Sequence, residues 1–368
     1  MGHLLRVANS ERGPGVGPIG QTWPDVRRIA VLRGGGLGDL LFAVPAMTAL
    51  RAAYPDAELV LLGTRLHREL LTGRPSPVTE VRPLPPYRDV HEPAGAVFDE
   101  AMQRAWFEAL KPVDLAVQLH GGGRNSNPFL RRLQPRYLVG ARTPDAAEAD
   151  RWLPFRYYQH EVLRALEVAG LAGAPPVELE PSITVTGADR AAADEVLAGL
   201  PDPLVVIHPG ATDPRRRWPA ERFAEVAEKL AADGCGVVVI GAPDERELVE
   251  SVAGRAGVRP LTSLSMSALV GVLARCSVFA GNDSGPRHLA GAVGAPTVSV
   301  YWMGNVVNAG PLGRARHRVL ISWLSHCPVC GVDCTREDLP RCAHDDSFVA
   351  AVPTDAVLGE TVELLAGR

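Results

Sequence analysis

Three stretches of this chain combine glycines with charged or hydroxyl residues in a way that suits chemistry on a phosphorylated substrate. The first is Leu32-Arg-Gly-Gly-Gly-Leu-Gly-Asp39, a glycine turn between an apolar run and an amphipathic one. Read from Gly34, a dinucleotide-binding fingerprint needs Gly or Ala where Asp39 stands, and a carboxylate at a helix N-terminus repels a pyrophosphate. What the turn provides is a carboxylate beside glycines such as Gly36 and Gly38, which let another molecule approach the backbone. Asp39 is therefore either a general base or an acidic residue that caps the helix after it.

The second stretch is Ile207-His-Pro-Gly-Ala-Thr-Asp-Pro-Arg-Arg-Arg-Trp-Pro219. A strand end leads into a loop carrying the hydroxyl of Thr212 and three arginines, whose forks match phosphate oxygens. Arg215 and Arg216 are candidates to neutralise a diphosphate; a solvated basic loop is the alternative. The third is Ala280-Gly-Asn-Asp-Ser-Gly-Pro-Arg-His-Leu-Ala290, where a strand ends at Asp283 and a helix opens near Ser284 or Gly285. Free backbone N–H groups there form an anion site of the kind that stabilises a departing phosphate, unless Asp283 serves merely as the cap.

Four of the six cysteines cluster as Cys327, Cys330, Cys334 and Cys342, with His326 and His344 alongside. Spacings of two, three and seven intervening residues suit a small tetrahedral structural zinc site. Cys235 and Cys276 sit among apolar neighbours and read as core.

These residues need a scaffold, and the hydrophobic pattern supplies one. Apolar runs at Ile29–Arg33, Glu58–Leu62 and Asp114–Gln118 alternate with helical patterns at Asp39–Ala53, Phe98–Leu110 and Gln159–Ala169. After a Pro, Gly and Ala-rich linker at 170–181 the rhythm restarts: helices Ala188–Ala198, Ala220–Ala232, Glu245–Ala253, Ser267–Ala274 and Gly285–Val293, with strands Leu204–Ile207, Val237–Ile240, Val278–Ala280 and Thr297–Val300. The expectation is two Rossmann-like α/β domains, 25–180 and 181–368, the second carrying the Cys-rich segment 326–344, with ligands at the carboxyl ends of the strands in a cleft. Residues 1–24 are expected to form a mobile extension.

At 368 residues two cores are expected, and 46% hydrophobic and 22% charged residues with a formal charge of −4 describe a globular protein without the basic balance of a nucleic-acid binder. No apolar run reaches the roughly 18 to 20 residues of a membrane span. The expected location is cytoplasmic, with peripheral membrane contact left open.

Together the three stretches resemble glycosyltransferase family 9, the ADP-heptose heptosyltransferases of lipopolysaccharide core assembly. Gly38-Asp-Leu-Leu-Phe-Ala-Val-Pro-Ala46 is similar to the family's N-terminal Gly-Asp segment, His208-Pro-Gly210 with Arg216-Arg-Trp-Pro219 to its Pro-Gly and Lys-Arg-Trp-Pro segment, and Asn282-Asp-Ser-Gly285 with His288 to its Asp-Thr-Gly-x-x-His signature. The resemblance implies a GT-B fold and inverting transfer of a heptose or related sugar from an ADP-sugar. Asp39 falls on the family's catalytic carboxylate; Arg216 replaces its phosphate-binding Lys; Asp283, Ser284, Gly285 and His288 contact the donor's sugar and diphosphate. It puts adenine beside Leu264 and Met266, and the ribose near Gly241 to Glu245, where Pro243 displaces the usual carboxylate and Asp244 or Glu245 substitutes. It also implies that protein charges, with no catalytic cofactor, carry the leaving group.

Acceptor recognition is assigned to the first domain, with Gly36, Gly38, His120 and Arg124 as candidates and a glycan, lipopolysaccharide core or small natural product as acceptor. Two other readings share the architecture: a nucleotide-sugar epimerase, and a non-catalytic nucleotide-sugar-binding protein in which Asp39 is only a cap.

Overall fold

In the computed structural model of the chain, which describes residues 15–367, contacts divide the protein into two α/β units at Pro181/Ser182. Unit 1 runs β1 (Arg28–Leu32), α1 (Leu37–Ala53), β2 (Glu58–Gly63), α2 (Arg65–Leu71), β3 (Glu80–Pro83), α3 (Glu100–Glu108), β4 (Leu115–Gln118), α4 (Ser126–Arg131), β5 (Tyr137–Arg142), β6 (Arg151–Pro154) and α5 (Glu161–Leu171). Its strands form one parallel sheet in the order β3-β2-β1-β4-β5-β6. Ala30, Leu32, Val60, Leu62, Ala116 and Leu138 pack with Phe107, Phe129 and Leu130 on one face, while Ile29, Val31, Leu59 and Leu61 are equally buried. Helices on both faces are why the central strands are continuously apolar rather than alternating.

Unit 2 runs α6 (Gly187–Leu197), β7 (Leu204–His208), α7 (Ala220–Ala232), β8 (Gly236–Ile240), α8 (Arg246–Ala256), β9 (Arg259–Leu261), α9 (Met266–Arg275), β10 (Val278–Asn282), α10 (Gly285–Ala292), β11 (Thr297–Trp302), α11 (Met303–Ala309), β12 (His317–Ser322) and α12 (Thr354–Ala366). Its sheet order, β12-β11-β10-β7-β8-β9, repeats that of unit 1 and is again parallel. In each unit the order reverses at one strand pair, β1/β4 and β7/β10. Chains leaving such a pair diverge, which opens a crevice beyond the carboxyl ends of the strands. Asp39 and His120 follow one pair; His208 and Asp283 end or follow the other.

The parallel α/β class, the two-unit repeat and the central strands agree with the pattern read from the sequence. β3, β5, β6, β9 and β12 were not expected; most are short strands toward the sheet edges, where one face needs no apolar cover. The helix expected from Asp39 begins at Leu37, and the linker is shorter than expected because α5 continues to Leu171. Its next residues pack on unit 1: Tyr54 donates its hydroxyl to Ala172 O (2.6 Å), and Thr48 to Glu178 (2.9 Å).

The segment expected to form a mobile extension, residues 1–24, is described from residue 15 onward. Residues 1–14 lie outside the described residues. Gly20 N–H donates to Gly170 O (2.8 Å), and Trp23 stacks on Tyr137 with its centroid 4.5 Å away and under the Arg151 guanidinium. An aromatic ring and a backbone bond anchor the segment immediately before β1 to the domain. Among the described residues no helix is long and apolar enough to cross a membrane.

Candidate functional site

In unit 1 the glycine turn after β1 is shaped around Asp39. Gly35 holds φ +87°, and a Cβ there would lie 2.3 Å from Asp39 Oδ2, so the turn requires glycine. Asp39 sits in the first turn of α1 and accepts the Gly36 N–H on Oδ2 (2.9 Å). Its Oδ1 accepts Arg33 Nη2 (2.7 Å). Arg33, buried at the end of β1, also donates to Asp39 O (2.9 Å), Leu119 O (2.5 Å) and Glu161 (3.2 Å). The carboxylate is thus held on both oxygens while its side chain remains 47% exposed. Each oxygen carries a second lone pair, so proton acceptance is compatible with this cradle.

Two histidines frame the turn. Thr64 N–H donates to His67 Nδ1 (3.2 Å), which puts the ring proton on Nε2, donated to Gly36 O (3.0 Å). Burial pushes the pKa of His67 down to about 4. Gly34 N–H donates to His120 Nδ1 (3.2 Å), and burial, followed by the nearby Arg33 charge, lowers that histidine's pKa, so His120 carries its proton on Nε2. Gln118 and Ser126 bond the His120 carbonyl and order its loop. Arg124 is 74% exposed and pairs with Asp145 at 3.4 Å, a solvated position.

In unit 2 the carboxyl ends of β7 and β10 bring together residues far apart in sequence. Asn282 is fully buried; its amide donates to Pro209 O (2.8 Å) and accepts Trp218 N–H (3.0 Å), pinning both ends of the 209–218 loop. Asp283, also buried, accepts Arg216 Nη1 on Oδ2 (3.0 Å) and His288 Nε2 on Oδ1 (3.0 Å). Arg287 donates to His288 Nδ1 (3.3 Å), which fixes the neutral tautomer with its proton toward Asp283. Burial alone would raise the pKa of Asp283; the His288 hydrogen bond and the charges of Arg216 and Arg287 outweigh it and hold the carboxyl below its usual range. One carboxylate among two guanidiniums leaves this cluster net positive, beside the first turn of α10 at Ser284 and Gly285.

Glu245 is half-buried and accepts His208 Nε2 (3.1 Å), while Ser284 Oγ lies 3.0 Å from His208 Nδ1. A carboxylate must accept, so the His208 proton is on Nε2 and Ser284 donates to Nδ1. Burial would raise the Glu245 pKa, but the hydrogen bond and charge of His208, the Ala242 N–H and the Arg217 charge together outweigh it and hold the carboxyl below its usual range. Gly210 packs so closely that a Cβ would overlap Glu245. Of the two expected ribose carboxylates, Glu245 is the one turned toward β7; Asp244 is exposed. Gly241 packs against Val249 and Glu245, Met266 opens α9, Leu264 precedes it half-buried, and Thr212 is exposed.

Arg215 is not placed like Arg216. It forms a two-pronged pair with Asp213 (Nη2 to Oδ2 2.6 Å) and lies 5.1 Å over the Phe348 ring. The sequence reading missed Arg33, His67, His208 and Glu161 as members of these clusters. A charged residue closing an apolar strand, as Arg33 and His208 do, was the available signal.

The cysteine-rich segment between β12 and α12 brings the donor atoms of Cys327, Cys330, Cys342 and His344 within 4.8 Å of one another. Of the four cysteines expected as ligands, three lie in this group together with His344; the Cys334 thiol instead donates to Val332 O (3.4 Å), and its N–H is bonded to Ser325 O (2.8 Å). Backbone N–H groups of Cys330 and Val329 stabilise the Cys327 thiolate and lower its pKa to about 6. Cys276 is buried and Cys235 half-buried.

A family model described as Glycosyltransferase family 9 (heptosyltransferase) matches residues 142–336. Lipopolysaccharide heptosyltransferase 1 of Pseudomonas aeruginosa is 26% identical over 298 residues, 78% of this chain and 82% of that protein. Among solved structures, glycosyl transferase family 9 from Veillonella parvula superposes with a TM-score of 0.72 at 21% identity, covering 93% of this chain and 98% of that one. The E. coli ADP-heptose lps heptosyltransferase II superposes with a TM-score of 0.69 at 20% identity, covering 92% and 99%. These likenesses establish the two-unit GT-B fold.

Proposed function

From the premise that the chain belongs to glycosyltransferase family 9, whose model matches more than half of its length, we propose that it transfers a heptose from ADP-heptose to a hydroxyl of a lipopolysaccharide-core or related glycan by a single inverting displacement. The observation that carries this reading is the net-positive Arg216–Asp283–His288–Arg287 cluster at the start of α10. As the anomeric bond breaks, its electron pair passes to the ADP phosphate, and the negative charge that builds there meets Arg216 and the N–H groups near Ser284 and Gly285. Asp283 takes the part of a positioning residue: both its oxygens are used to hold Arg216 and His288.

Asp39 takes the acceptor hydroxyl's proton as the new C–O bond forms. His120 supplies an Nε2–H donor on the acceptor side, with Gly36 and Gly38 allowing close approach. Glu245 and Gly241 hold the ribose, and Leu264 and Met266 flank the adenine. The similarity to the lipopolysaccharide heptosyltransferase of Pseudomonas aeruginosa and to the E. coli ADP-heptose lps heptosyltransferase II supports the choice of ADP-heptose and of a lipopolysaccharide acceptor.

A second reading of Asp39 has its own support, since the Gly36 N–H bond makes it a helix cap. Asp39→Asn separates the two, because asparagine retains an acceptor for that bond but cannot take a proton. Calorimetric titration of ADP, UDP and GDP tests the donor: selective ADP binding is expected, and a preference for UDP or GDP overturns the assignment. Anomeric analysis of the product by NMR tests inversion.

A further inference from the structure

The cysteine-rich segment does more than close on itself. Its last two candidate ligands, Cys342 and His344, are followed after two aspartates by Ser347 and Phe348, and these grip the backbone on either side of Arg216. Phe348 N–H donates to Arg215 O (2.7 Å), and Ser347 Oγ donates to Arg217 O (2.6 Å). Arg341, just before Cys342, reaches Asp213 (3.7 Å), and Phe348 lies under the Arg215 guanidinium. Phe348 is anchored in turn through its own carbonyl, which accepts Ser322 Oγ–H (2.5 Å), and beside the Trp302 ring.

The donor set suits a single tetrahedral metal ion. Three cysteine sulfurs and an imidazole form a closed set of the kind used by structural zinc. Tetrahedral bonds of about 2.3 Å to sulfur and 2.0 Å to nitrogen place neighbouring donors about 3.5 to 3.8 Å apart. Cys327 Sγ and His344 Nδ1 are 3.7 Å apart, and all four donors lie within 4.8 Å. The Cys327-x-x-Cys330 pair is completed by Gly331, at φ +72°, whose N–H donates to Cys327 O (3.0 Å) and folds the loop back around the sulfurs.

We propose that Cys327, Cys330, Cys342 and His344 bind one zinc ion, and that this ion clamps the 342–348 segment against residues 213–217 so that Arg216 is presented in a fixed geometry. Binding replaces the thiol protons, released to solvent, with bonds to the metal, so no oxidant or reductant is involved. Ordering the loop before the ligand arrives lowers the entropic cost of binding. The assignment of Arg216 to the diphosphate rests on the proposed function; the metal site and its grip on the loop do not.

The test uses the full chain. Metal analysis of the purified protein should find one zinc per chain. In Cys330→Ser, or after chelation, zinc should be lost, amide hydrogen exchange across residues 213–218 should accelerate at least tenfold, and ADP should bind about tenfold more weakly while far-UV circular dichroism is retained. His344→Cys, which preserves four donors, should keep the zinc, the protection and the affinity. No bound metal, iron in place of zinc, or zinc loss without faster exchange at 213–218 overturns the proposal. Zinc-dependent protection in a protein that does not bind ADP supports the clamp and overturns the donor assignment instead.

Discussion

Arg33 Nη2 lies 2.7 Å from Asp39 Oδ1, and the same buried guanidinium reaches Glu161 on α5. The carboxylate assigned to proton transfer is therefore oriented by a residue of the strand before it and, through Glu161, by a helix more than a hundred residues later. Arg33→Met should lower kcat at least tenfold with ADP affinity unchanged. It should also cost about 1–3 kcal/mol of stability, discounted because the Asp39 side chain is half exposed. Steady-state kinetics and denaturant unfolding on the same variant check both parts.

Asp39→Asn should reduce kcat by roughly 100-fold or more with donor binding and thermal stability close to wild type. A variant with full turnover would reduce Asp39 to a helix cap.

Arg216→Ala should weaken ADP binding by roughly 10- to 100-fold, the value of a charge-assisted fork to phosphate, with Arg216→Lys intermediate. Arg215→Ala should weaken it less, because that side chain is already committed to Asp213 and Phe348. Calorimetry on the three variants gives the ranking; equal losses at 215 and 216 would contradict the division of labour.

His208→Ala leaves Glu245 half-buried without its ring partner and frees Ser284. We expect about 1–3 kcal/mol of destabilisation and a several-fold rise in donor KM that exceeds the fall in kcat. Initial rates at varied donor concentration, together with urea unfolding, decide this.

The pH dependence has a definite sign. His67 titrates near 4 in the folded chain against about 6.5 when unfolded, and His317, lowered by burial to about 4, behaves alike. Between those values the unfolded chain binds more protons, so stability present above pH 6.5 is lost as the pH falls toward 4. For His67, which is fully buried, the loss is about 3 kcal/mol. His67→Gln should make the stability profile shallower between pH 4 and 6.5, with the His317 contribution remaining, measured by urea unfolding at fixed ionic strength. Asp283, whose pKa is lowered, adds its own loss only at more acidic pH.

Much of this was legible in the chain. Central strands buried on both faces must be apolar throughout, so β1, β2, β4, β7, β8 and β10 could be read directly, and glycines at tight turns marked where backbone and ligand approach. Edge strands such as β3 and β9 were not legible, because one exposed face removes the pattern that would reveal them.

By itself the sequence determined the parallel α/β class, the two-unit repeat, and the residue types at each strand end, since these follow from local periodicity and turn chemistry. Tertiary structure decided which of those residues act together. Arg215 and Arg216 are neighbours in sequence with the same side chain, yet one faces Asp213 and Phe348 and the other Asp283. His344 rather than Cys334 gathers with Cys327, Cys330 and Cys342, while the Cys334 thiol bonds the Val332 carbonyl. Glu245 rather than Asp244 meets His208, which sits 37 residues earlier. Such choices depend on long-range hydrogen bonds and on the direction in which each side chain leaves the folded backbone, and neither is written in residue spacing.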